Sequence, residues 1–140
     1  MPSASPQFVL EQNKRLLMRW FDEVWNQGRR ETIEELYASE CVLHDGANAY
    51  RGPAEFTRFY DALRAQFSQV SVKPLVTLAE NDLVCLHWSV DCLHTATSET
   101  VHLTGITIGR IRDGKFVEAW QNWDAAGLAT QIAGQAPRLG

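Results

Sequence analysis

Basic charge is scarce in this chain of 140 residues: 13 Lys and Arg stand against 17 Asp and Glu, and the net charge is −4. No basic stripe runs along any segment, and the pair Arg29 and Arg30 is followed by Glu31, Glu34 and Glu35. The electrostatic footprint that phosphate backbones require is missing, which excludes nucleic acid as the main partner. Cysteine is scarce as well. Cys41, Cys85 and Cys92 are odd in number and lack CxxC spacing, which speaks against a disulfide framework and for reduced thiols in the cytoplasm. Met1–Pro6 has neither the basic start nor the apolar stretch of a signal peptide. No apolar run approaches the ~20 residues that span a bilayer, so no membrane association is expected. HxH, HExxH, GxSxG, a P-loop and GxGxxG are absent. No signature therefore asks for a metal or a nucleotide, and no cofactor is expected.

What the chain does have is apolar material: 45% hydrophobic residues, with five Trp. That is enough for one core, and large rings in a small domain line either a core or a pocket. Leu17, Trp20, Phe21 and Val24 recur at helical spacing and predict a helix over Gln7–Asn26, with Gly28 placed to end it. A shorter helix fits Glu31–Ser39, and Cys41–His44 reads as a short strand closed by a turn at Asp45-Gly46. Gly52-Pro53 starts a third helix, whose apolar side is Phe56, Phe59, Tyr60, Leu63 and Phe67.

From Gln69 onward the period becomes two. Val70–Leu78, Leu83–Thr95, Thr100–Ile111 and Phe116–Trp123 read as strands, and Asp113-Gly114 is a hairpin signal. A last helix fits Ala125–Ile132, with Gly134 beyond it. Helices followed by hairpin-linked strands indicate an α+β fold. A curved antiparallel sheet wrapped around the N-terminal helices would form a cone with an apolar pocket for a small molecule.

The closing segment Gly105–Asp124, GITIGRIRDGKFVEAWQNWD, resembles the SnoaL-like polyketide cyclase and ester cyclase family, of the nuclear-transport-factor-2-like superfamily. Val84–Ser89 (VCLHWS), the turn at Leu93–Ala96 (LHTA), the helix ending Trp25–Gly28 (WNQG) and the final Leu128–Gly134 (LATQIAG) resemble further parts of its pattern. The resemblance covers about residues 8–134, which implies one domain there, with flexible tails at 1–7 and 135–140. The chain departs from the pattern at His87, where arginine is frequent, and at Ala96, where glycine is. It also lacks the insertion that many ester cyclases carry after this turn.

The resemblance implies that Asp124 is the acid/base residue. By strand parity Phe116, Glu118, Trp120, Asn122 and Asp124 share one face, and a carboxyl group among rings such as Trp120 and Trp88 would have its pKa raised. Asp124 also directly precedes a helix, where Asp is a favoured N-cap, and the sequence leaves both roles open. His87 is the second catalytic candidate, as an oxyanion donor or proton relay. It shares a face with Ser89 and Asp91, opposite Trp88, so if the opposite face is inward, Trp88 lines the cavity and His87 does not. Arg110 would anchor a carboxylate or enolate, or lie on the surface near its hairpin. Glu118 would pair with Asp124 or with Arg110. Phe59, Tyr60 and Trp20 are expected in the pocket wall.

These residues point to cofactor-independent acid/base chemistry, aldol cyclisation or isomerisation, on an apolar carbonyl compound. Water addition to an epoxide and a non-catalytic binding domain are the alternatives. The resemblance also implies a homodimer formed through the outer face of the sheet.

Overall fold

Ser5 starts the first helix: its side chain accepts from Phe8 N, and Pro6 follows at the first helical position, where a missing N–H costs nothing. Helix α1 therefore begins at Pro6, inside the tail expected through residue 7. The computed structural model describes residues 5–133. The rest of that N-terminal tail, Gly134 and the tail expected at 135–140 lie outside the described residues.

Helix α1 (Pro6–Trp20) continues into a π-helical segment, Phe21–Asn26, in place of the expected uniform helix. Two of the carbonyls left without helical partners where the segment ends are taken up by side chains: Tyr60 Oη donates to Val24 O at 2.9 Å and Arg64 Nη1 to Trp25 O at 2.7 Å. Gly28, at φ 68°, then turns the chain. Helix α2 is shorter than expected, Glu31–Leu36. Strand β1 (Val42–Asp45) is followed by β2 (Asn48–Arg51), then by α3 (Gly52–Gln66). The long strands are β3 (Phe67–Glu80), β4 (Leu83–His94), β5 (Glu99–Arg112) and β6 (Lys115–Trp123), and α4 spans Ala125–Ile132.

Strand β2 was not expected. Asn48–Arg51 has no alternation of apolar residues; it is held by pairing with β1, by Tyr37, whose hydroxyl donates to Tyr50 O, and by the stacking of Tyr50 on Phe59. The six strands run in the order β2-β1-β6-β5-β4-β3. All pairings are antiparallel except β1 with β6, which is parallel, so the sheet is mixed where a purely antiparallel one was expected. Asp113 and Gly114 both take positive φ, 52° and 73°, between the paired Arg112 and Lys115. This is the two-residue hairpin turn that the dipeptide signals.

The sheet curves over the helices, and its concave face carries the core: Val84, Leu86 and Trp88 of β4 meet Leu17, Phe21 and Val24 of the first helix. Two glycines make this close packing fit. A Cβ on Gly105 would lie 2.3 Å from the Trp88 ring, and one on Gly109 2.9 Å from Phe116. The bare backbone of β5 is what lets both rings lie flat over it.

Strand parity holds along β4 and β5 and fails once on β6. The register shifts between Arg110 and Ile111, so that Val117 is an extra residue opposite β5. Phe116 is inward before the bulge, and Ala119, Gln121 and Trp123 are inward after it. Glu118, Trp120 and Asn122 therefore face outward.

Candidate active site

A cavity of about 110 Å³ lies between the concave face of the sheet, the π-helical segment and the C-terminal half of α3. Buried Phe21, Val72, Trp88 and Leu103 form its floor, and half-buried Leu63, Arg64 and Leu128 its rim. A smaller hollow of about 30 Å³ lies deeper under α1. The two share Trp25, Phe59 and Gln121 as a partition.

One polar row crosses this otherwise apolar face. Asp45 of β1, Gln121 of β6 and Thr107 of β5 are lateral neighbours in register, so all three side chains lie on the concave side. Trp88 Nε1 donates to Thr107 Oγ1 at 3.0 Å, and Thr107 Oγ1 donates to Gln121 Oε1 at 3.1 Å. The indole nitrogen has only a proton to give, so Thr107 accepts from Trp88 and keeps its own hydroxyl proton for Gln121. The Gln121 amide nitrogen has no partner among the described residues. Trp123, a wall residue, donates Nε1–H to Asp45 Oδ1 at 3.0 Å.

Asp45 is 9% exposed. Desolvation pushes its carboxyl above the ordinary range, and the Trp123 hydrogen bond opposes this only in part. Tyr50 is raised by its own burial and, less, by the nearby charge of Asp45; its ring stacks on Phe59 at 4.3 Å. Asp45 Oδ2 has no partner among the described residues. No fully buried side-chain N or O among those residues is unpaired, so Oδ2 and the Gln121 amide nitrogen each open onto free space. The carboxyl group stands behind two residues of the cavity wall, beside Gln121 in register and bonded to Trp123.

The expected site residues divide. Trp88 and Phe59 stand in the cavity wall. Asp124 does not. It is exposed, and its Oδ1 accepts from Gly127 N at 2.8 Å as the N-cap of α4, so its carboxyl points to solvent at the end of the sheet. His87 faces outward between Val76 and Ile106. The Val117 bulge turns Glu118, Trp120 and Asn122 out as well: His44 pairs with Glu118 at 2.8 Å and stacks on Trp120 at 5.9 Å, and Asn122 is exposed. Arg110 is held by both carboxylate oxygens of Asp82 at 2.9 Å, away from the cavity and not by Glu118. Trp20 and Tyr60 are packed in the aromatic core, Trp20 against the smaller hollow. Among the described residues no three His, Cys, Asp or Glu side chains come together to hold a metal.

The profile of the SnoaL-like polyketide cyclase family matches residues 15–132. The chain belongs to this family. A solved structure designated a SnoaL-like polyketide cyclase, from Jannaschia sp. CCS1, is 22% identical; the match covers 99% of this chain and 100% of that one, with a TM-score of 0.85. A protein from Acidithiobacillus ferrooxidans designated a polyketide cyclase is 23% identical over 97% of this chain and 100% of its own, with a TM-score of 0.80. A protein of ketosteroid isomerase-like fold from Catenulispora acidiphila, solved in complex with trimethylamine, is 14% identical over 87% and 97%, with a TM-score of 0.76. No curated protein matches the sequence. The architecture is thus the nuclear-transport-factor-2-like cone, and among the described residues no helix is long and apolar enough to cross a membrane.

Within this SnoaL-like frame, the residues that sequence reasoning missed are Asp45, Gln121, Thr107 and Arg64. Asp45 shares parity with buried Cys41 and Leu43, and that signal was masked by reading Asp-Gly as a turn. Gln121 follows from the bulge, whose trace in the sequence is that Phe116 and Trp123, both large rings, have opposite parity.

Proposed function

We propose that the chain is a cofactor-independent enzyme that moves a proton on a small, largely apolar carbonyl compound held in the cavity, with Asp45 as acid/base. The observation that carries this is the state of the Asp45 carboxyl: under-hydrated, one oxygen held by Trp123 and the other without a partner among the described residues. A carboxylate with a raised pKa is a stronger base than one in water, and its orientation is fixed in advance. A guest seated against Gln121 and Trp123 presents the C–H beside its carbonyl to Oδ2. The Gln121 amide, tethered through Thr107 to Trp88, donates to the carbonyl oxygen as charge develops there. Proton abstraction and enolate formation are the shared first half of aldol cyclisation and isomerisation, and family membership favours the cyclase outcome. Asp124 takes no part, because its carboxylate is spent on the cap of α4.

We also propose a homodimer that buries the outer face of the sheet, in a cytoplasmic setting that keeps Cys41, Cys85 and Cys92 reduced. Support for the dimer comes from Val76 and Leu78 of β3 and Ile106 and Ile108 of β5, large apolar side chains 36–62% exposed on the two strands that flank β4. Incubating the protein with 2-tetralone in deuterated water tests the chemistry. Deuterium entering the carbon beside the carbonyl is the expected result. Hydration of styrene oxide in place of that exchange would instead favour water addition, and neither reaction would leave a binding module.

A further inference from the structure

Arg64 is the polar group of the cavity wall to which the proton-transfer reading gives no task. It stands in the last turn of α3, where the carbonyl end of the helix favours a cation. Nη1 is fixed on Trp25 O at 2.7 Å, and the guanidinium carbon sits 5.7 Å from the Tyr60 ring centroid. A Cβ on Gly28 would come within 3.0 Å of Nη2, so the glycine also preserves the space in which the fork lies. The side chain is therefore held in place with donors to spare.

Among the described residues those donors have no counter-charge. The other half-buried arginines are paired, Arg19 and Arg29 with Glu35 and Arg110 with Asp82. The described arginines that share the lack of an ion pair, Arg15, Arg51, Arg58 and Arg112, are exposed. Among the described residues no carboxylate lies within 4 Å of Arg64. A guanidinium held at the rim of an apolar cavity offers an entering anion donors for which no carboxylate of the described residues competes. Its planar fork matches a carboxylate with two parallel hydrogen bonds.

We infer that the guest of this cavity is an apolar carboxylic acid, bound as its anion by Arg64 at the rim, with its apolar body running over Leu103 and Trp88 toward Gln121. The inference rests on the reading that the cavity takes a small molecule, and it narrows that guest to one chemical class. It also fixes the direction of entry: the charged end stays at the rim beside solvent, and the reacting carbon goes inward, where Asp45 and Gln121 stand.

Cinnamate and cinnamamide have nearly the same shape and differ in charge, so titrating each into the purified protein tests the inference. Wild-type protein is expected to bind cinnamate at least about tenfold more tightly than the amide. Arg64→Gln should abolish that preference, and Arg64→Lys, which keeps the charge and a donor but loses the fork, should keep only part of it. Thermal melts of both variants verify folding. Should Arg64→Gln not fold, the wild-type ratio and the Arg64→Lys protein still decide. Equal binding of acid and amide by wild type, or a preference that survives Arg64→Gln, overturns the carboxylate anchor and leaves the cavity reading standing. If neither compound binds and 2-tetralone does not bind either, both fall.

Discussion

Trp123 donates its indole N–H to Asp45 Oδ1 at 3.0 Å across the parallel junction of β6 and β1. The bond joins the most buried carboxylate of the concave face to a residue of the cavity wall. Burial alone would favour the neutral acid; the indole donor supports the charged form and keeps it ionisable. The Val117 bulge is what makes this contact, since without it Trp123 would face outward.

The raised Asp45 pKa has a consequence for stability. Between its ordinary value of 3.8 and its raised folded value, the folded chain holds a proton that the unfolded chain has released. Stability therefore falls as pH rises through that window, and the deficit persists above it. Asp45→Asn, which keeps an oxygen for Trp123, removes the deficit. In urea melts the variant should gain on wild type between pH 4 and pH 7, and a constant difference across that range would contradict the shift.

Asp124→Ala separates capping from chemistry. Losing the bond to Gly127 N should destabilise the protein by about 0.5–2 kcal/mol, read from denaturant melts. Exchange activity should stay within about twofold of wild type, because the carboxylate faces solvent.

Gly105→Ala places a methyl group 2.3 Å from the Trp88 ring. The ring must swing toward the cavity and leave Thr107. We expect a loss of about 1–3 kcal/mol, a changed Trp fluorescence spectrum and weaker binding of 2-tetralone. A variant with wild-type stability and binding would show that the sheet yields instead of the ring.

Ile108→Glu puts a charge amid the exposed apolar side chains of the outer face. Light scattering should report a dimer for wild type and a monomer for the variant. A wild-type monomer would remove the proposed assembly.

Much of the architecture was legible because long elements with strong periodicity announce themselves. The aromatic stripe of α3 and the Asp113-Gly114 turn are examples. The site was less legible. The face of β6 depends on a single extra residue, Val117, and counting by twos from Phe116 sends Asn122 inward and Gln121 outward, the reverse of what is found. Asp45 belongs to a four-residue strand that is held by a partner 70 and more positions away, a relation no local pattern encodes. Asp124 drew attention through family resemblance, while its own local signal, an Asp before a helix, described the bond it makes.

Deuterium incorporation into 2-tetralone by wild type, Asp45→Asn and Asp124→Asn, measured side by side with binding of the same ketone, tests the central claim most directly. The account predicts that all three bind it, that Asp124→Asn exchanges at the wild-type rate, and that Asp45→Asn loses about 10²–10⁴-fold. Undiminished exchange by Asp45→Asn, or its loss in Asp124→Asn with the fold intact, would contradict it.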